Sequence, residues 1–290
     1  LWFLNVMEEE NDTGIRRALH SLASGAQDET AEDFTADIER MLKPVDTTVV
    51  EIPHYNPRVL SSWAQNHPFM YEDRLISLDA LEAMQVGYDE REVRITIPVF
   101  WKGQLVGWQK RALTSPNYPQ TPMVVDKETG NTRPPEKYKN SPGFPKDSTL
   151  YNADNVDVNK PVFVVESPLS VLRGLTHGAE FANIVGTHGA KINAAQLEWL
   201  RQCSSIIVAF DPDYAGQWGA YKIIKDASRY TNVTNVNFEA GLDFADYNRS
   251  NLMTVVAEAE LGLLALPRLE KLIMSNKRNK NGLRKVLNRA

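Results

Sequence analysis

Three carboxylates stand at the ends of apolar runs that are typical of buried β-strands. Glu166 ends the run VFVVE (162–166), and Asp211 and Asp213 follow the run SIIVAF (205–210). If the two strands are parallel neighbours, their carboxyl ends meet at one edge of the sheet and bring the three side chains together. Clustered carboxylates repel one another unless a cation neutralises them, and hard oxygen ligands suit Mg²⁺ or Mn²⁺. The spacing therefore predicts a divalent-metal site that could stabilise an in-line attack at phosphorus.

An ordinary structural interpretation competes with this one. An aspartate after a strand is a common turn residue and helix cap, so the stretch FDPD alone indicates capping more often than metal binding. The acid at the end of a second strand, Glu166, is what favours the metal site.

The elements that must position these acids alternate regularly. Residues 161–249 predict a β-α-β-α-β-α-β order, and hence a largely parallel sheet with helices on both faces. The predicted strands are 162–166, 181–186, 205–210 and 233–238, and the predicted helices are 168–177, 193–202 and 214–229.

The rest of the chain predicts smaller elements. Ser77 is expected to cap a helix over 77–85, and strands 92–100 and 104–112 are expected to form a hairpin at 101–103. Proline, asparagine, glycine and tyrosine are frequent in residues 114–160, which favours long ordered loops. Helices are further expected over 14–24 and 31–43, and over 253–290 with an interruption at Pro267.

Three ordered motifs resemble the TOPRIM domain over about residues 160–250. They are VFVVES, then NIVGTHGAKINAAQLEWL, then IIVAFDPDYAGQWGAYK. A TOPRIM domain has a glutamate after its first strand, a glycine-rich turn after its second and a DxD after its third. Glu166, the turn Gly186-Thr187 and the pair Asp211 and Asp213 match these positions.

The preceding segment is similar to the amino-terminal part of a DnaG-like primase core. Two stretches of the sequence carry this similarity: VRITIPVFWKGQLVGWQKRAL and PPEKYKNSPGFPKDSTLYN. In that family a strand pair ends in an arginine, which matches Arg111, and a KYxNSP-type loop leads into the TOPRIM strand, which matches 137–142. The two resemblances together cover about residues 75–250.

The resemblance implies an activity, a cofactor and site residues. A primase joins ribonucleotides from their triphosphates on a single-stranded DNA template. Glu166, Asp211, Asp213 and Asp243 would hold Mg²⁺ or Mn²⁺, two or more ions. A basic surface would bind nucleic acid and nucleotide, with Arg111 and Lys137 favoured. Further candidates, for which a solvated surface side chain is the simpler interpretation, are Arg94, Lys110, Lys139, Asn140 and Lys146.

Two positions depart from the primase pattern. The aspartate often found four residues after the glutamate is Ser170 here, and the second aspartate of the later acidic motif (GLDFADYN) is Ala245, with Asp246 one position further. These departures favour fewer or differently placed metal ligands, so that Asp243 is a better candidate than Asp246.

The predicted fold class is α/β: a TOPRIM-type, mostly parallel sheet with flanking helices, preceded by a smaller α+β basic subdomain. Four regions are expected: a helical segment 1–50, a basic subdomain 51–158, a TOPRIM catalytic domain 159–250 and a helical basic tail 251–290. Because the chain begins with Leu1, we expect a fragment or an incomplete start.

Composition limits the function classes. The formal net charge is −5, but residues 101–150 hold eight Lys/Arg against four Asp/Glu, and residues 271–290 hold seven bases and no acid. Such local basic surfaces suit phosphates. The single cysteine, Cys203, excludes a cysteine-rich zinc site in this chain. No apolar run approaches the roughly 20 residues of a membrane span, so a cytoplasmic location is expected, in a host cell if the short core is of phage origin.

Three functions remain open. The first is a primase, with single-stranded DNA, ribonucleoside triphosphates and a replicative helicase as partners and no membrane. The second is a TOPRIM nuclease or topoisomerase-like enzyme, because the same acids could cut a strand. The third is a non-catalytic scaffold that binds DNA or a helicase.

Overall fold

The structure is a computed structural model that describes residues 51–126 and 128–273. The predicted segment 1–50 with its two helices, and the basic end 274–290, lie outside the described residues. Among the described residues no helix is both long enough and apolar enough to cross a lipid bilayer.

The amino-terminal half is built on a four-stranded antiparallel sheet with the order β1-β2-β3-β6. Helix α1 (Leu78–Ala83) precedes it, and the Ser77 side chain accepts a hydrogen bond from Ala80 N, as predicted. The strands of this half are β1 (Gly87–Asp89), β2 (Arg94–Trp101), β3 (Gln104–Ala112), a separate two-stranded hairpin β4 (Val124–Val125) and β5 (Thr132–Arg133), and β6 (Tyr138–Asn140).

The predicted hairpin between β2 and β3 is confirmed. Lys102 and Gly103 connect the strands with φ angles of 53° and 75°. This pair of left-handed residues matches the right-handed twist of the two strands. The β2–β3 pairing places Arg111 opposite Ile95, and Arg111 also pairs with Tyr138 of β6.

The carboxyl-terminal half is a five-stranded sheet with the order β11-β10-β9-β7-β8. Four of its strands are parallel and the edge strand β11 is antiparallel. In chain order its elements are β7 (Pro161–Val165), α2 (Pro168–His177), β8 (Ile184–Gly186), α3 (Ala194–Leu200), β9 (Ser205–Val208), α4 (Tyr214–Ala227), β10 (Asn232–Asn235), α5 (Arg249–Ala257) and β11 (Glu260–Leu261), after which residues 262–273 are helical.

Alternate side chains of β7 enter two different cores, because successive residues of a strand point to opposite faces. Phe163 and Val165 pack in a cluster with α2 and with β2 of the first sheet. Val162 and Val164 pack in a second cluster with α3, α4 and the helical residues 262–273. Helices therefore cover both faces of the parallel sheet, and the first cluster joins that sheet to the antiparallel one.

The structure confirms one expectation about local structure and corrects another. The described part of residues 114–160 has little regular structure, as predicted, apart from the short strands β4, β5 and β6 and a 3₁₀ turn at Ala153–Asn155; β6 forms because its backbone pairs with β3. The helical tail is interrupted at 258–261 rather than at Pro267, which lies inside the helical residues 262–273. The chain bends there because Glu260 and Leu261 leave the helix to pair with β10.

Candidate active site

The acids at the ends of β7 and β9 meet, because these two strands are parallel neighbours in register. Glu166 directly follows β7, and its Oε1 accepts a hydrogen bond of 3.0 Å from the backbone N–H of Asp211. The Glu166 carbonyl in turn accepts a 2.8 Å hydrogen bond from Gly189 N. The turn after β8 thus fixes the backbone of Glu166, and Glu166 fixes the start of the DPD segment.

Asp213 both borders the cluster and begins the next helix. Its Oδ1 accepts a 2.8 Å hydrogen bond from Gly216 N, so it caps α4. A Cβ atom at Gly216 would lie 2.4 Å from Glu166 Oε1 and 2.3 Å from Asp211 O. Gly216 is therefore required by space, because glycine lets the first turn of α4 approach the carboxylates.

The later acidic motif contributes Asp243 from a short 3₁₀ turn, Phe244–Asp246. Asp243 Oδ1 accepts a 2.7 Å hydrogen bond from Ala245 N, and Asp246 Oδ2 accepts a 2.8 Å hydrogen bond from Asp243 N. The two side chains therefore cap the turn reciprocally. Asp243 is half-buried beside Asp211, and Asp246 is exposed.

Burial and mutual repulsion raise the pKa values of these acids. The pKa of Glu166 rises to about 8, chiefly because burial disfavours its charge and then because of Asp211. The pKa of Asp211 rises to about 6 through burial and through Asp243 and Asp213. Burial and Asp246 also raise the pKa of Asp243. The cluster thus holds more negative charge than its surroundings compensate.

Such a cluster suits a divalent cation, which would relieve the repulsion. In the part of the chain that the structure describes, no three carboxylate, imidazole or thiol groups are arranged to hold a metal ion by themselves. Mg²⁺ normally takes only one or two protein carboxylates and completes its shell with water and substrate phosphates. Glu166, Asp211, Asp213 and Asp243 fit that partial donor set.

Cationic side chains face the acids from the first half of the fold. The Lys137 ammonium acts on both Asp211 and Asp243 and opposes the rise in their pKa values. Arg74 interacts with Asp243 and Asp246, while its own pKa is lowered by burial and by neighbouring Arg111. Positive and negative groups therefore line opposite sides of one region.

Arg111 is 7% exposed and stands against Tyr138. Its Nη1 donates a 3.1 Å hydrogen bond to the Tyr138 hydroxyl, and its guanidinium lies 5.5 Å from the ring centroid. The buried Nε atoms of Arg74 and of Arg111 have no hydrogen-bond partner among the described residues. Two adjacent guanidiniums with unused donors are a natural anion site.

The other predicted cationic residues make contacts within the protein. Arg94 is buried and donates to the carbonyls of Lys110 and Glu136 at 3.1 and 3.0 Å. Lys110 is 7% exposed, and its Nζ lies 2.5 Å from Asp89 and 2.7 Å from Glu92. Neither residue is the solvated side chain that the simpler interpretation expected.

The predicted residues of β6 lie beside that ion-pair network. Exposed Lys139 binds Glu92 at 2.6 Å, and Asn140 Oδ1 accepts a 2.9 Å hydrogen bond from Gln109. Lys146 is exposed. The structure therefore places Lys137 near the acids and Arg111 beside Tyr138 and Arg74, and it leaves Arg94 and Lys110 as internal supports of the antiparallel sheet.

The two positions that depart from the primase pattern have structural roles. Ser170 is buried in the first turn of α2, and its hydroxyl lies 3.0 Å from that of the capping residue Ser167. The carbonyl of Ala245 accepts a 3.2 Å hydrogen bond from Arg173 Nε. Neither position contributes a carboxylate.

Sequence reasoning missed two residues, Arg74 and Arg173. Arg173, on α2, donates to the carbonyls of Leu75, Ala245 and Tyr247 and so holds the acidic turn against the start of the fold. Both arginines act across segments that are far apart in sequence. No local motif marks them, and Arg74 directly follows two acids in the sequence, Glu72 and Asp73.

A sequence comparison supports the assignment of the parallel sheet. Residues 163–248 match the family described as Toprim-like. No curated protein shows significant sequence similarity to the chain.

Solved structures resemble the larger fold. The zinc-binding and RNA polymerase domains of the Aquifex aeolicus primase superpose with a TM-score of 0.55 at 17% identity, over 70% of this chain and 59% of that one. A DNA primase domain from Pseudomonas aeruginosa gives 0.54 at 16% identity, over 75% and 81%. A DnaG primase catalytic domain bound to single-stranded DNA gives 0.53 at 16% identity, over 73% and 81%.

These likenesses fall on the two halves described above, and the chain spans 59% of the length of the Aquifex aeolicus structure. At such identities they establish the fold and not the activity. The chain thus contains a Toprim-like domain within the fold of the DnaG primase catalytic core.

Proposed function

We propose that this chain is a DNA primase that joins ribonucleotides on a single-stranded DNA template by metal-dependent nucleotidyl transfer. One observation supports the proposal: Glu166 accepts a hydrogen bond from Asp211 N, and Asp211 and Asp243 interact electrostatically with each other and with Lys137. A group of carboxylates beside cationic side chains suits a reaction centre at phosphorus.

The acids would hold Mg²⁺ or Mn²⁺. A bound divalent cation neutralises charge that develops on phosphate oxygens and lowers the pKa of a coordinated hydroxyl. The residues of the chain contribute by holding the carboxylates in position. The hydrogen bond from Asp211 N and the close approach of Gly216 hold the Glu166 carboxylate, and the Asp213 cap fixes the start of α4.

The arginine pair would bind the triphosphate. Arg74 and Arg111 repel each other, and each keeps a buried Nε without a partner among the described residues. An anion between them would satisfy both groups. A cleft of about 440 Å³ beside Arg74, lined by Phe69, Asp73, Thr114 and Ser115, gives access from solvent.

Single-stranded DNA is the proposed template, and one neighbour of the same fold is described as bound to single-stranded DNA. Exposed Lys137 lies near the acids, where it could contact a backbone phosphate. The replicative helicase that the resemblance implies stays a prediction.

One assay separates the rival functions. The protein is incubated with single-stranded DNA, labelled ribonucleotides and Mg²⁺ or Mn²⁺, and the products are resolved on a denaturing gel. New short RNA that depends on the template supports the proposal. Shortened DNA would identify a nuclease, and an unchanged strand that is nevertheless bound would identify a scaffold; either result refutes the primase activity.

A further inference from the structure

Helix α4 carries a stripe of aromatic and lysine side chains on its outer face. Tyr214, Trp218, Tyr221, Lys222 and Lys225 fall within about 100° of arc, because the helix turns through about 100° per residue. Trp218 is 39% exposed and Tyr214 is 37% exposed. We call the set Trp218, Tyr221, Lys222 and Lys225 the aromatic–lysine face.

Close packing of the opposite side directs this face outward. A Cβ atom at Gly219 would lie 2.3 Å from Ala190 O, and one at Gly216 would lie 2.3 Å from Asp211 O. Since glycines occupy the inner side, α4 sits directly against the turn after β8. The bulky residues lie on the other side of the helix, where Tyr221 is half-buried and packs against the core and Trp218 is exposed.

The members of the face are ordered relative to one another. The Trp218 and Tyr221 rings are stacked with centroids 5.6 Å apart and planes 15° apart. Lys222 Nζ lies 5.6 Å from the Trp218 ring centroid, and Lys225 Nζ lies 5.6 Å from that of Tyr221. The two rings therefore stack on each other with one ammonium group over each ring, and Trp218 is the more exposed of the two.

The acids near the face are already engaged. The single acidic residue of α4, Asp226, binds Arg201 at 2.8 Å. Glu270 accepts a 2.8 Å hydrogen bond from the Tyr221 hydroxyl. Lys222 and Lys225 make no ion pair with a described residue within 4.0 Å. The face therefore offers positive charge and ring surface together, which complements phosphates and bases.

We propose that the aromatic–lysine face binds single-stranded nucleic acid as a stacking surface outside the carboxylate site. The face begins little more than one helical turn beyond the site, since Trp218 lies five positions after Asp213. From Trp218 to Lys225 it extends roughly 10 Å along the helix, enough for about two to three nucleotides. A strand that passes the acids can continue along α4, with a base against the exposed part of Trp218 and phosphates at the two lysines.

The first experiment measures binding of labelled oligodeoxythymidylates of about 4 and about 16 nucleotides by fluorescence anisotropy. Trp218→Ala should weaken binding of the longer strand by at least about fivefold, because one stacked base is lost. Binding of the shorter strand should change much less, and Trp218→Phe should restore most of the affinity. Equal binding of both strands by wild type and Trp218→Ala would overturn the proposal and leave a protein partner as the explanation of the face.

The second experiment measures the salt dependence of binding. Replacing both Lys222 and Lys225 by glutamine should reduce the slope of log affinity against log salt by about 1.4, since each phosphate contact on a single strand contributes about 0.7. Lys160→Gln, whose ammonium pairs with Asp157 at 3.4 Å, is the matched control and should leave the slope unchanged. An unchanged slope in the double variant contradicts the proposal.

The outcome is separable from that of the proposed function. Primer synthesis by wild type together with unaltered strand binding by the α4 variants would refute only the stacking surface. Length-dependent loss of binding in a protein that makes no primers would refute only the primase activity. Circular dichroism of each variant checks that α4 is intact.

Discussion

Glu166 Oε1 lies 3.0 Å from the backbone nitrogen of Asp211 and accepts its hydrogen bond. This contact joins two residues 45 positions apart and exists because β7 and β9 are adjacent parallel strands. It brings the carboxylate of one strand end against the backbone of the next. The arrangement concentrates negative charge in a partly buried region, and each prediction below tests one consequence of it.

Glu166→Gln should make the metal-free protein more stable at high pH. A carboxylate whose folded pKa is raised binds more protons folded than unfolded, so stability falls as pH rises from about 4.5 to about 8. Glutamine keeps the acceptor oxygen and removes the charge. In chelator, denaturant unfolding should give nearly equal stabilities at pH 5 and an advantage of ~1–3 kcal/mol for the variant above pH 8. A variant that is less stable at both pH values would show that ionised Glu166 stabilises the fold.

Gly216→Ala should reduce primer synthesis about 100-fold, because the new Cβ would lie 2.4 Å from Glu166 Oε1 and displace it. The matched control is Ala215→Ser, a small enlargement at the exposed neighbouring position of the same helical turn. Initial rates at saturating nucleotide, with thermal unfolding as a check on folding, make the comparison. Full activity in Gly216→Ala would mean that the Glu166 position does not matter.

Arg173→Gln should loosen the turn that carries Asp243. Its guanidinium donates to three carbonyls, including Ala245 O at 3.2 Å and Tyr247 O at 3.3 Å. Losing these bonds should cost about 2–4 kcal/mol in urea unfolding. It should also weaken divalent-metal affinity in protein that is still folded. A purely structural role would lower stability and leave that affinity unchanged.

Arg111→Gln should raise the apparent KM for ribonucleotides by about 10- to 100-fold, with a smaller effect on kcat, if Arg111 and Arg74 share the triphosphate. Lys139→Gln is the control, since Lys139 pairs with Glu92 at 2.6 Å and should leave KM unchanged. Equal effects of the two substitutions would argue for a diffuse basic surface in place of a triphosphate site.

The parallel sheet and its acidic edge could be predicted because their signals are local. Apolar runs such as 162–165 enter two cores and end abruptly at Glu166, and the DPD segment ends the next such run. Strand β6 could not be predicted in this way. Tyr138, Lys139 and Asn140 are mostly polar, and they form a strand only because β3 offers a free edge.

The residues around the acids could be predicted only in part, because some of them are positioned by contacts between segments far apart in sequence. Arg111 and Lys137 lie in recognisable motifs, whereas Arg74 and Arg173 act through burial and through carbonyls far away in sequence. Lys110 is a residue for which the simpler interpretation of the sequence was wrong. A lysine in a basic stretch predicts a surface charge, but pairing with Asp89 and Glu92 lets this one be buried.

The most direct test of the central claim is a Mn²⁺ titration followed by electron paramagnetic resonance, on wild type, Asp211→Asn and the control Asp157→Asn, with and without a nucleoside triphosphate. We expect wild type and the control to bind Mn²⁺ more tightly when the nucleotide is present, because phosphate oxygens complete the coordination shell of the ion. We expect the Mn²⁺ affinity of Asp211→Asn to be at least about tenfold lower than that of wild type. Mn²⁺ binding by Asp211→Asn that matches wild type under both conditions would contradict it.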